Sequence, residues 1–439
     1  MYLSLFDYKR YIFENQRDIL HDIAVGGKID ISYSAGGISV IVKQYIKDFE
    51  SCGLGIFVHF GIYSVLGKGE WAKAAFQMSN EEYEKLAERF CPHPDWAREL
   101  AASARSAGAK YVTITTRHHD GFSLYDTQGL SEFDAVHYCG RDLIREFVDA
   151  CRNEGLLPFF YHTLVDWHAP EYRSDHKKYL EYLRSSVEKL CTNYGKVGGL
   201  WFDGTWDKKD ADWEEDALYA MIRSHQPEAM IINNTGLDAL GALGHIELDS
   251  VTFERGKPFP INKPGAPKYI ASEMCQVMND HWGYAALDLN YSSMAHIIGE
   301  FLACRRYGAN YLLNVGPMED GRLRLIDRGI LEELGKWIRL NEESIRMPRP
   351  TDIIIEGRPD DFILSTDDVS YLFVLDAPVS HDATRKEAFR TDRTVLSVEW
   401  LDNGGSLPFT QTDGVVEITA LPFPYGTHLT ARVAKIVYK

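Results

Sequence analysis

The segment GGLWFDG, residues 198–204, is the one around which the rest of the chain is organised. Its apolar and aromatic residues favour a β-strand, and the flanking glycines mark where the strand begins and where a loop follows. The only ionisable group, Asp203, stands at the carboxyl end of the strand. Parallel strands of α/β proteins carry their chemistry at this end. Asp203 is therefore a candidate catalytic residue, and the alternative is that it caps an Asp-Gly turn.

Seven other segments have the same strand-like character, and segments with helical spacing, such as Leu180, Leu183, Val187 and Leu190, alternate with them. The eight predicted strands are residues 54–59, 110–116, 156–161, 199–203, 229–233, 246–249, 269–273 and 311–315. This alternation predicts a (β/α)8 barrel of the TIM type, irregular after the fifth strand, where the helical pattern fades. A doubly wound sheet is the alternative fold, but the chain has no GxGxxG motif and no P-loop to support it.

The chain is predicted to have three regions. Residues 1–50 form an N-terminal extension packed on the barrel, and residues 51–345 form the barrel. Beyond Pro348 and Pro350 the pattern changes to short alternating stretches separated by turn residues, which predicts an all-β sandwich over residues 346–439. Its predicted strands are residues 352–356, 362–365, 371–375, 395–400, 415–419 and 431–438.

Composition narrows the class of protein. The chain has 439 residues and a net charge of −17, without a run of basic residues, so nucleic acid and anionic membranes are not expected partners. No stretch approaches the ~20 apolar residues of a membrane span, and the first ten residues lack a signal-peptide pattern. The seven cysteines are scattered, as in a reduced protein, so we expect a cytoplasmic location. An aromatic content of 12% suits a pocket that stacks rings on sugars.

Polar and aromatic residues follow the first four predicted strands where each strand ends. A lone histidine beside a strand is usually a satisfied core residue, but four consecutive strand ends of this kind indicate a site. The residues concerned are His59, with Glu70 and Trp71 nearby, then His118, His119 and Asp120, then Tyr161 and His162, and finally Trp201 and Asp203.

A metal site is one interpretation of His118, His119 and Asp120, because imidazole and carboxylate are zinc ligands. Neighbouring side chains on an extended segment point in opposite directions, however, so the two histidines are not expected to share one ion. We therefore expect neither a metal nor another cofactor.

Sugar chemistry suits the set better. Histidine and glutamate side chains bind ring hydroxyls, Trp71 and Trp201 can stack on a ring, and a carboxylate can attack an anomeric carbon. Such chemistry requires a second carboxylate.

Four motifs together resemble the α-L-fucosidases of glycoside hydrolase family 29. They are GIFVHFGIYS at 55–64 with Glu70 and Trp71, TRHHDGF at 116–122, LWFDG at 200–204 and NYLLNVGP at 310–317. The resemblance spans residues 53–340 and implies a retaining exo-glycosidase on an irregular barrel. It places Asp203 on the family's nucleophile. The implied fucose-binding residues are His59, Glu70, Trp71, His118, His119, Tyr161, Trp201 and, from the motif HWGY at 281–284, Trp282.

The acid/base is assigned by the same resemblance. The segment DSVTFE at 249–254 is similar to a family segment that ends in the acid/base, which favours Glu254, with Glu247 and Glu273 as rivals. Many family members carry an arginine just after the fifth strand, whereas INNTG at 232–236 offers none. We expect the missing charge to come from Arg255, from another loop or from a neighbouring subunit of a homo-oligomer.

The sequence thus predicts exo-acting hydrolysis of terminal α-L-fucose from glycosides and fucosylated oligosaccharides through a covalent fucosyl-enzyme. The alternatives are a catalytically inactive, lectin-like fucose-binding barrel and a metal-dependent hydrolase.

Overall fold

The computed structural model describes residues 42–262, 266–379 and 383–439. Eight parallel strands close into a barrel in chain order, which confirms the predicted fold class. The strand that the GGLWFDG segment predicted is present with the predicted bounds. The strands are β1 (Leu54–Val58), β2 (Tyr111–Arg117), β3 (Leu157–Thr163), β4 (Gly199–Asp203), β5 (Met230–Asn233), β6 (Ser250–Thr252), β7 (Ala271–Val277) and β8 (Asn310–Val315).

Helices cover the outside of the barrel, and none in the described residues is both long and apolar enough to cross a membrane. They are α1 (Gln44–Cys52), α2 (Ala72–Ala75), α3 (Asn80–Ala87), α4 (Trp96–Ser106), α5 (Ala135–Cys139), α6 (Leu143–Asn153), α7 (Pro170–Ser174), α8 (His176–Asn193), α9 (Glu215–His225), α10 (Met294–Arg306), α11 (Leu325–Leu340) and α12 (Glu342–Ile345). Between β5 and β7 the described chain has no α-helix, and its helical structure there is a single 3-10 turn, Leu237–Ala239, which confirms the predicted irregularity after the fifth strand.

The interior of the barrel is filled by large side chains. Phe49 of α1 packs against Tyr111 and Phe159, with ring centroids 5.3 and 5.7 Å away. Above them Tyr161 stacks on Trp201 at 5.5 Å. The barrel is therefore a packed core at its amino-terminal end, closed by α1, and functional side chains are left to its carboxyl end. The first 41 residues of the predicted N-terminal extension lie outside the described residues.

The predicted sixth strand was placed wrongly. Residues 246–249 precede β6, and the Asp249 side chain joins neighbouring segments of the chain through hydrogen bonds and an ion pair. Its carboxylate accepts hydrogen bonds from the Ile231 N–H and the Tyr45 hydroxyl, both at 3.0 Å, and pairs with Arg223. The alternating apolar pattern of residues 246–249 looked like a strand, but these contacts hold Asp249 at the amino-terminal end of the barrel.

The C-terminal region forms two antiparallel sheets, with strand orders β13-β16-β11-β10-β9 and β12-β15-β14. Their strands are β9 (Arg349–Pro350), β10 (Phe362–Ser365), β11 (Val369–Val374), β12 (Arg385–Arg390), β13 (Val395–Trp400), β14 (Phe409–Thr412), β15 (Val415–Ala420) and β16 (Arg432–Tyr438). The sequence missed β12 and β14, because their charged and polar residues do not show a strand pattern. The predicted strand at 352–356 is absent, because a single backbone hydrogen bond, from the Glu356 N–H to the Ala388 carbonyl oxygen at 2.8 Å, joins that segment to a neighbouring strand.

Gly199, at the start of β4, has no room for a side chain. A Cβ atom there would lie 2.7 Å from the backbone oxygen of Met230 and 2.5 Å from Cε1 of Phe159. We expect Gly199→Ala to lower the free energy of unfolding by about 1–3 kcal/mol, because a backbone atom of β5 must move. Urea unfolding measures this. Gly299 in α10, whose Cβ would meet nothing within 4 Å, is the matched control, and equal losses for both substitutions would contradict the explanation.

Candidate active site

A cavity of about 670 Å³ opens at the carboxyl ends of the barrel strands. We call it the main cavity. It is lined by Phe57, His59, Trp71, His118, His119, Tyr161, Trp201, Asp203, Thr205, Trp206, Lys209, residues 234–239, Glu254, Cys275 and Trp282. Seven of the ten residues that were predicted from the strand ends are therefore brought together in one pocket, whereas Glu70, Asp120 and His162 do not line it.

Asp203 is held by neutral donors. Its Oδ2 accepts a hydrogen bond from the Tyr161 hydroxyl at 3.0 Å, and its Oδ1 accepts from Trp206 Nε1 at 3.4 Å and from Asn234 Nδ2 at 3.3 Å. His119 Nε2 lies 3.5 Å from Oδ2, but burial lowers the pKa of His119 and so favours its neutral form. Among the described residues no lysine or arginine pairs with Asp203, so its charge is oriented without being neutralised by a fixed cation.

Glu254 is the second carboxylate of the site. Asn234 Nδ2 donates to Glu254 Oε2 at 2.6 Å and to Asp203 Oδ1 at 3.3 Å. Because one nitrogen lies this close to both oxygens, the two oxygens are at most about 6 Å apart. An upper bound of about 6 Å for this pair of oxygens admits the ~5–5.5 Å spacing of retaining glycosidases. Burial, together with the charge of Asp203, raises the pKa of Glu254. A raised pKa is what a proton donor needs.

The orientation of the Asn234 side-chain amide is fixed by the hydrogen bonds of its oxygen, Oδ1. Its Oδ1 accepts hydrogen bonds from Thr252 Oγ1 at 2.9 Å and from the Gly236 N–H at 3.2 Å. Since the oxygen is engaged by two donors, the NH2 group must face the two carboxylates. Asn234 therefore sets the geometry of both Asp203 and Glu254.

The rival carboxylates are placed elsewhere. Glu273 is buried below the main cavity, where it accepts hydrogen bonds from Trp201 Nε1 at 2.9 Å and from the Tyr111 hydroxyl. Burial raises the pKa of Glu273 to about 7. Glu247 is exposed and precedes Asp249, which is anchored at the amino-terminal end of the barrel. Neither residue lines the main cavity.

His59 is a neutral hydrogen-bond acceptor. Asn314 donates through Nδ2 to the Trp282 carbonyl oxygen at 2.7 Å, so its Oδ1 must accept from His59 Nδ1, also at 2.7 Å. Burial lowers the pKa of His59 to about 3. The second ring nitrogen, Nε2, is therefore unprotonated and available to accept a hydroxyl hydrogen from a ligand in the main cavity.

His118 and His119 both line the main cavity, which corrects the expectation that they point in opposite directions. Strand β2 ends at Arg117 and the chain then turns, with the Gly121 N–H bonded to the His118 carbonyl oxygen, so strand alternation no longer applies. The two rings lie 4.2 Å apart. Asp120 faces away, since its carboxylate accepts from the Tyr83 hydroxyl at 2.8 Å and from the Phe122 N–H at 3.1 Å.

Aromatic rings form much of the wall. Phe57 lies 5.1 Å from Trp201 and 5.9 Å from Trp282 between ring centroids, and these three rings make an apolar surface. Glu70 is buried and is not among the lining residues; its carboxylate accepts from the Gly283 N–H at 2.7 Å. It thereby fixes the loop that carries Trp282.

Many family members carry an arginine just after the fifth strand. In the described part of this chain, no arginine lines the main cavity to replace it. The Arg255 side chain is exposed and does not line the main cavity. The basic residue that does line it is Lys209, whose Nζ lies 3.1 Å from Asp238 Oδ2 at the rim. The position next to both carboxylates is occupied by the neutral amide of Asn234.

Two lining residues in contact with Asp203 were not predicted from the sequence. Asn234 directly follows β5, so the rule that strand ends converge would have found it had amides been considered beside charged groups. Trp206 lies in the turn after β4, and only the folded loop brings its ring to Asp203.

Such a barrel, with two carboxylates held together in a pocket walled by aromatic rings, defines a glycoside hydrolase. Residues 32–343 match the family model described as Alpha-L-fucosidase, which is more than half of the chain. The chain belongs to the alpha-L-fucosidase family.

Individual relatives extend over most of the chain. Tissue alpha-L-fucosidase of Rattus norvegicus is 27% identical over 453 residues, covering 94% of each chain, and the Mus musculus protein is 29% identical over 338 residues, covering 69% of this chain and 71% of its own. Among solved structures, alpha-L-fucosidase isoenzyme 1 from Paenibacillus thiaminolyticus has 28% identity and a TM-score of 0.79, covering 90% of this chain and 99% of its own.

Proposed function

We propose that the protein is an exo-acting, retaining α-L-fucosidase that hydrolyses terminal α-L-fucose from glycosides and fucosylated oligosaccharides. The observation that carries the proposal is the pair Asp203 and Glu254, whose oxygens are bridged by the Asn234 amide in the main cavity. Membership of the alpha-L-fucosidase family supports the choice of sugar.

In the first step the Asp203 carboxylate attacks the anomeric carbon of fucose. The bond from that carbon to the leaving oxygen breaks, and Glu254 gives its proton to the leaving oxygen, which departs as an alcohol. The product is a fucosyl ester on Asp203. The neutral donors around Asp203 suit this role, because they orient the carboxylate and leave it nucleophilic.

In the second step Glu254, now ionised, takes a proton from water. The water oxygen bonds to the anomeric carbon and the ester bond to Asp203 breaks, which regenerates both carboxyl groups in their starting forms. Two inversions at the same carbon give fucose with its original α configuration.

The wall of the pocket fits a deoxy sugar. His59 is set to accept from a ring hydroxyl, and Phe57 with Trp282 offers an apolar surface to the methyl group of fucose. Such a methyl contact contributes only ~1–2 kcal/mol, so the hydroxyl contacts carry most of the recognition.

Hydrolysis of 4-nitrophenyl α-L-fucoside, followed by proton NMR, tests the proposal. We expect α-fucose to appear first and the β anomer to form only by mutarotation. Initial release of β-fucose would show inversion, fucose binding without hydrolysis would show a lectin-like protein, and loss of activity on chelation would show a metal-dependent hydrolase.

Asn234→Ala should shift the pH dependence of turnover. The Asn234 hydrogen bond lowers the pKa of Glu254, so its removal raises that pKa. Glu254 must be protonated to act, and activity is lost as the pH rises through its pKa; the alkaline limb of the kcat/KM profile therefore moves to higher pH. Asn233→Ala is the matched control, because Asn233 donates to Tyr219 and Glu215 instead of to the catalytic pair. An unmoved limb in Asn234→Ala, or the same movement in both variants, would contradict this role.

We also propose a cytoplasmic location and a homo-oligomeric state. The first is supported by the seven cysteines, all of which are free thiols. The second was suggested by the missing arginine, and light scattering of the purified protein would test it. A monomer at micromolar concentration would end that part of the proposal.

A further inference from the structure

A second depression of about 830 Å³ lies beside the main cavity. We call it the tryptophan groove. It shares Trp71 and Trp206 with the main cavity, so the two are continuous. Its lining includes Trp71, Ala74, Trp167, Arg173, Trp206 and Asp207.

Three tryptophans form its inner wall. The Trp71 ring lies 5.6 Å from that of Trp206 and 5.2 Å from that of Trp167, and 41% of Trp71 is exposed. The indole N–H groups of Trp71 and Trp167 have no acceptor in the residues that the structure describes. Rings with a free face and a free donor are what a sugar ring requires, since its apolar face stacks and its hydroxyls accept.

The wall is held rigidly. Asp166 accepts hydrogen bonds from the His168 and Ala169 N–H groups, both at 2.9 Å, and its Oδ2 lies 3.6 Å from the buried guanidinium of Arg117. Asn80 ties the opposite side by donating to the His168 carbonyl oxygen at 3.3 Å. A preorganised surface of this kind loses little entropy when a ligand binds.

Polar groups are available at the outer edge. Arg173 is exposed and has no carboxylate partner in the part of the chain that the structure describes. Asp207 accepts from the Tyr172 hydroxyl and also lines the groove. One guanidinium and one carboxylate give both donors and acceptors for hydroxyl groups, while Lys73, which also lines the groove, is buried with its Nζ 3.5 Å from the Asp120 carbonyl oxygen.

We propose that the tryptophan groove binds a saccharide ring of the substrate beyond the fucose. This inference rests on the proposed function, because it assigns a subsite to the same reaction. Trp206 connects the two sites: its Nε1 donates to Asp203 Oδ1 at 3.4 Å, and its ring also lines the groove. Trp71 and Trp206 line both cavities, so a glycan attached to the fucose reaches the groove by passing these two rings. The ligand class is a neutral oligosaccharide.

The test compares two substrates in variants that obstruct or weaken the groove. Ala74→Trp places an indole in the groove, and Ala75→Trp is the matched control, since Ala75 is also exposed and on α2 but does not line the groove. Arg173→Ala removes a donor without adding bulk. The substrates are 4-nitrophenyl α-L-fucoside, which has no sugar beyond fucose, and the fucosylated trisaccharide that the wild-type enzyme hydrolyses fastest among linkage isomers.

We expect Ala74→Trp to lower kcat/KM on the trisaccharide about tenfold, mainly through KM, as expected for the loss of one ring-stacking contact. The aryl fucoside should be hydrolysed within about twofold of the wild-type rate, and Ala75→Trp should leave both substrates unchanged. Arg173→Ala should give a smaller loss on the trisaccharide alone. Unchanged trisaccharide kinetics in Ala74→Trp and Arg173→Ala, or equal losses on both substrates in both variants, would overturn the subsite. If the wild-type enzyme hydrolysed neither substrate, the proposed function itself would fail.

Discussion

Asp203→Gly is expected to lower turnover of an aryl α-fucoside by roughly 10⁴-fold while the protein stays folded, as is typical for loss of a covalent nucleophile. The fold survives because the Asp203 side chain contacts only side chains of the site, whereas its backbone continues the pairing of β4 with Thr163 of β3. Initial rates on the aryl fucoside, with thermal unfolding as the check on folding, measure both parts.

Azide provides a stereochemical control for this variant. An azide ion entering the space left by the Asp203 carboxylate attacks the anomeric carbon from the nucleophile's side and gives β-fucosyl azide. Turnover near the wild-type rate, or rescue that yields the α-azide, would remove Asp203 from the role of nucleophile.

Glu254→Ala is expected to lose activity in proportion to the leaving group's need for a proton. On an oligosaccharide the loss should be roughly 10²–10⁴-fold, the usual contribution of a general acid, and it should be far smaller in the first step on a dinitrophenyl fucoside. The alkaline limb that reflects the raised pKa of Glu254 should also disappear from the pH profile. Kinetics on the two substrates across pH measure both effects.

The rival carboxylates supply the controls. Azide should accelerate Glu254→Ala by attacking the fucosyl-enzyme, and the product should be α-fucosyl azide. Glu273→Gln should show no such rescue, because Glu273 lies beneath Trp201 and reaches it through a hydrogen bond at 2.9 Å. Glu247→Gln should be close to wild type. Rescue in Glu273→Gln, with none in Glu254→Ala, would exchange their assignments.

The barrel and much of the pocket could be predicted because parallel strands end at one edge. The segments of β1 to β4 have clear apolar patterns, so the positions of His59, His119, Tyr161 and Asp203 at that edge followed from the strands. Glu254 was found by its motif, since β6 has only three residues and its register could not be read from periodicity.

The features of the site that could not be predicted from the sequence depend on side-chain direction and on contacts between distant residues. Whether a glutamate near a strand faces the pocket or the barrel floor depends on register, which separates Glu254 from Glu273. The bridging role of Asn234 depends on Thr252, a residue 18 positions away whose hydroxyl turns the amide. His118 and His119 both face the main cavity, against the alternation expected of a strand, because β2 ends at Arg117 and the chain then turns. The tryptophan groove exists only because α2, the loop after β3 and the loop after β4 meet in the fold.

Covalent trapping with 2-deoxy-2-fluoro-α-L-fucosyl fluoride, followed by peptide mapping by mass spectrometry, tests directly whether Asp203 is the nucleophile. The fluorine at carbon 2 slows both steps, and the fluoride leaving group lets the first step outrun the second. We expect one fluorofucosyl group per chain, attached to the peptide that contains Asp203, and no label in Asp203→Gly. A label on Glu254 or Glu273, or turnover of fucosides by a protein that never accumulates a label, would contradict it.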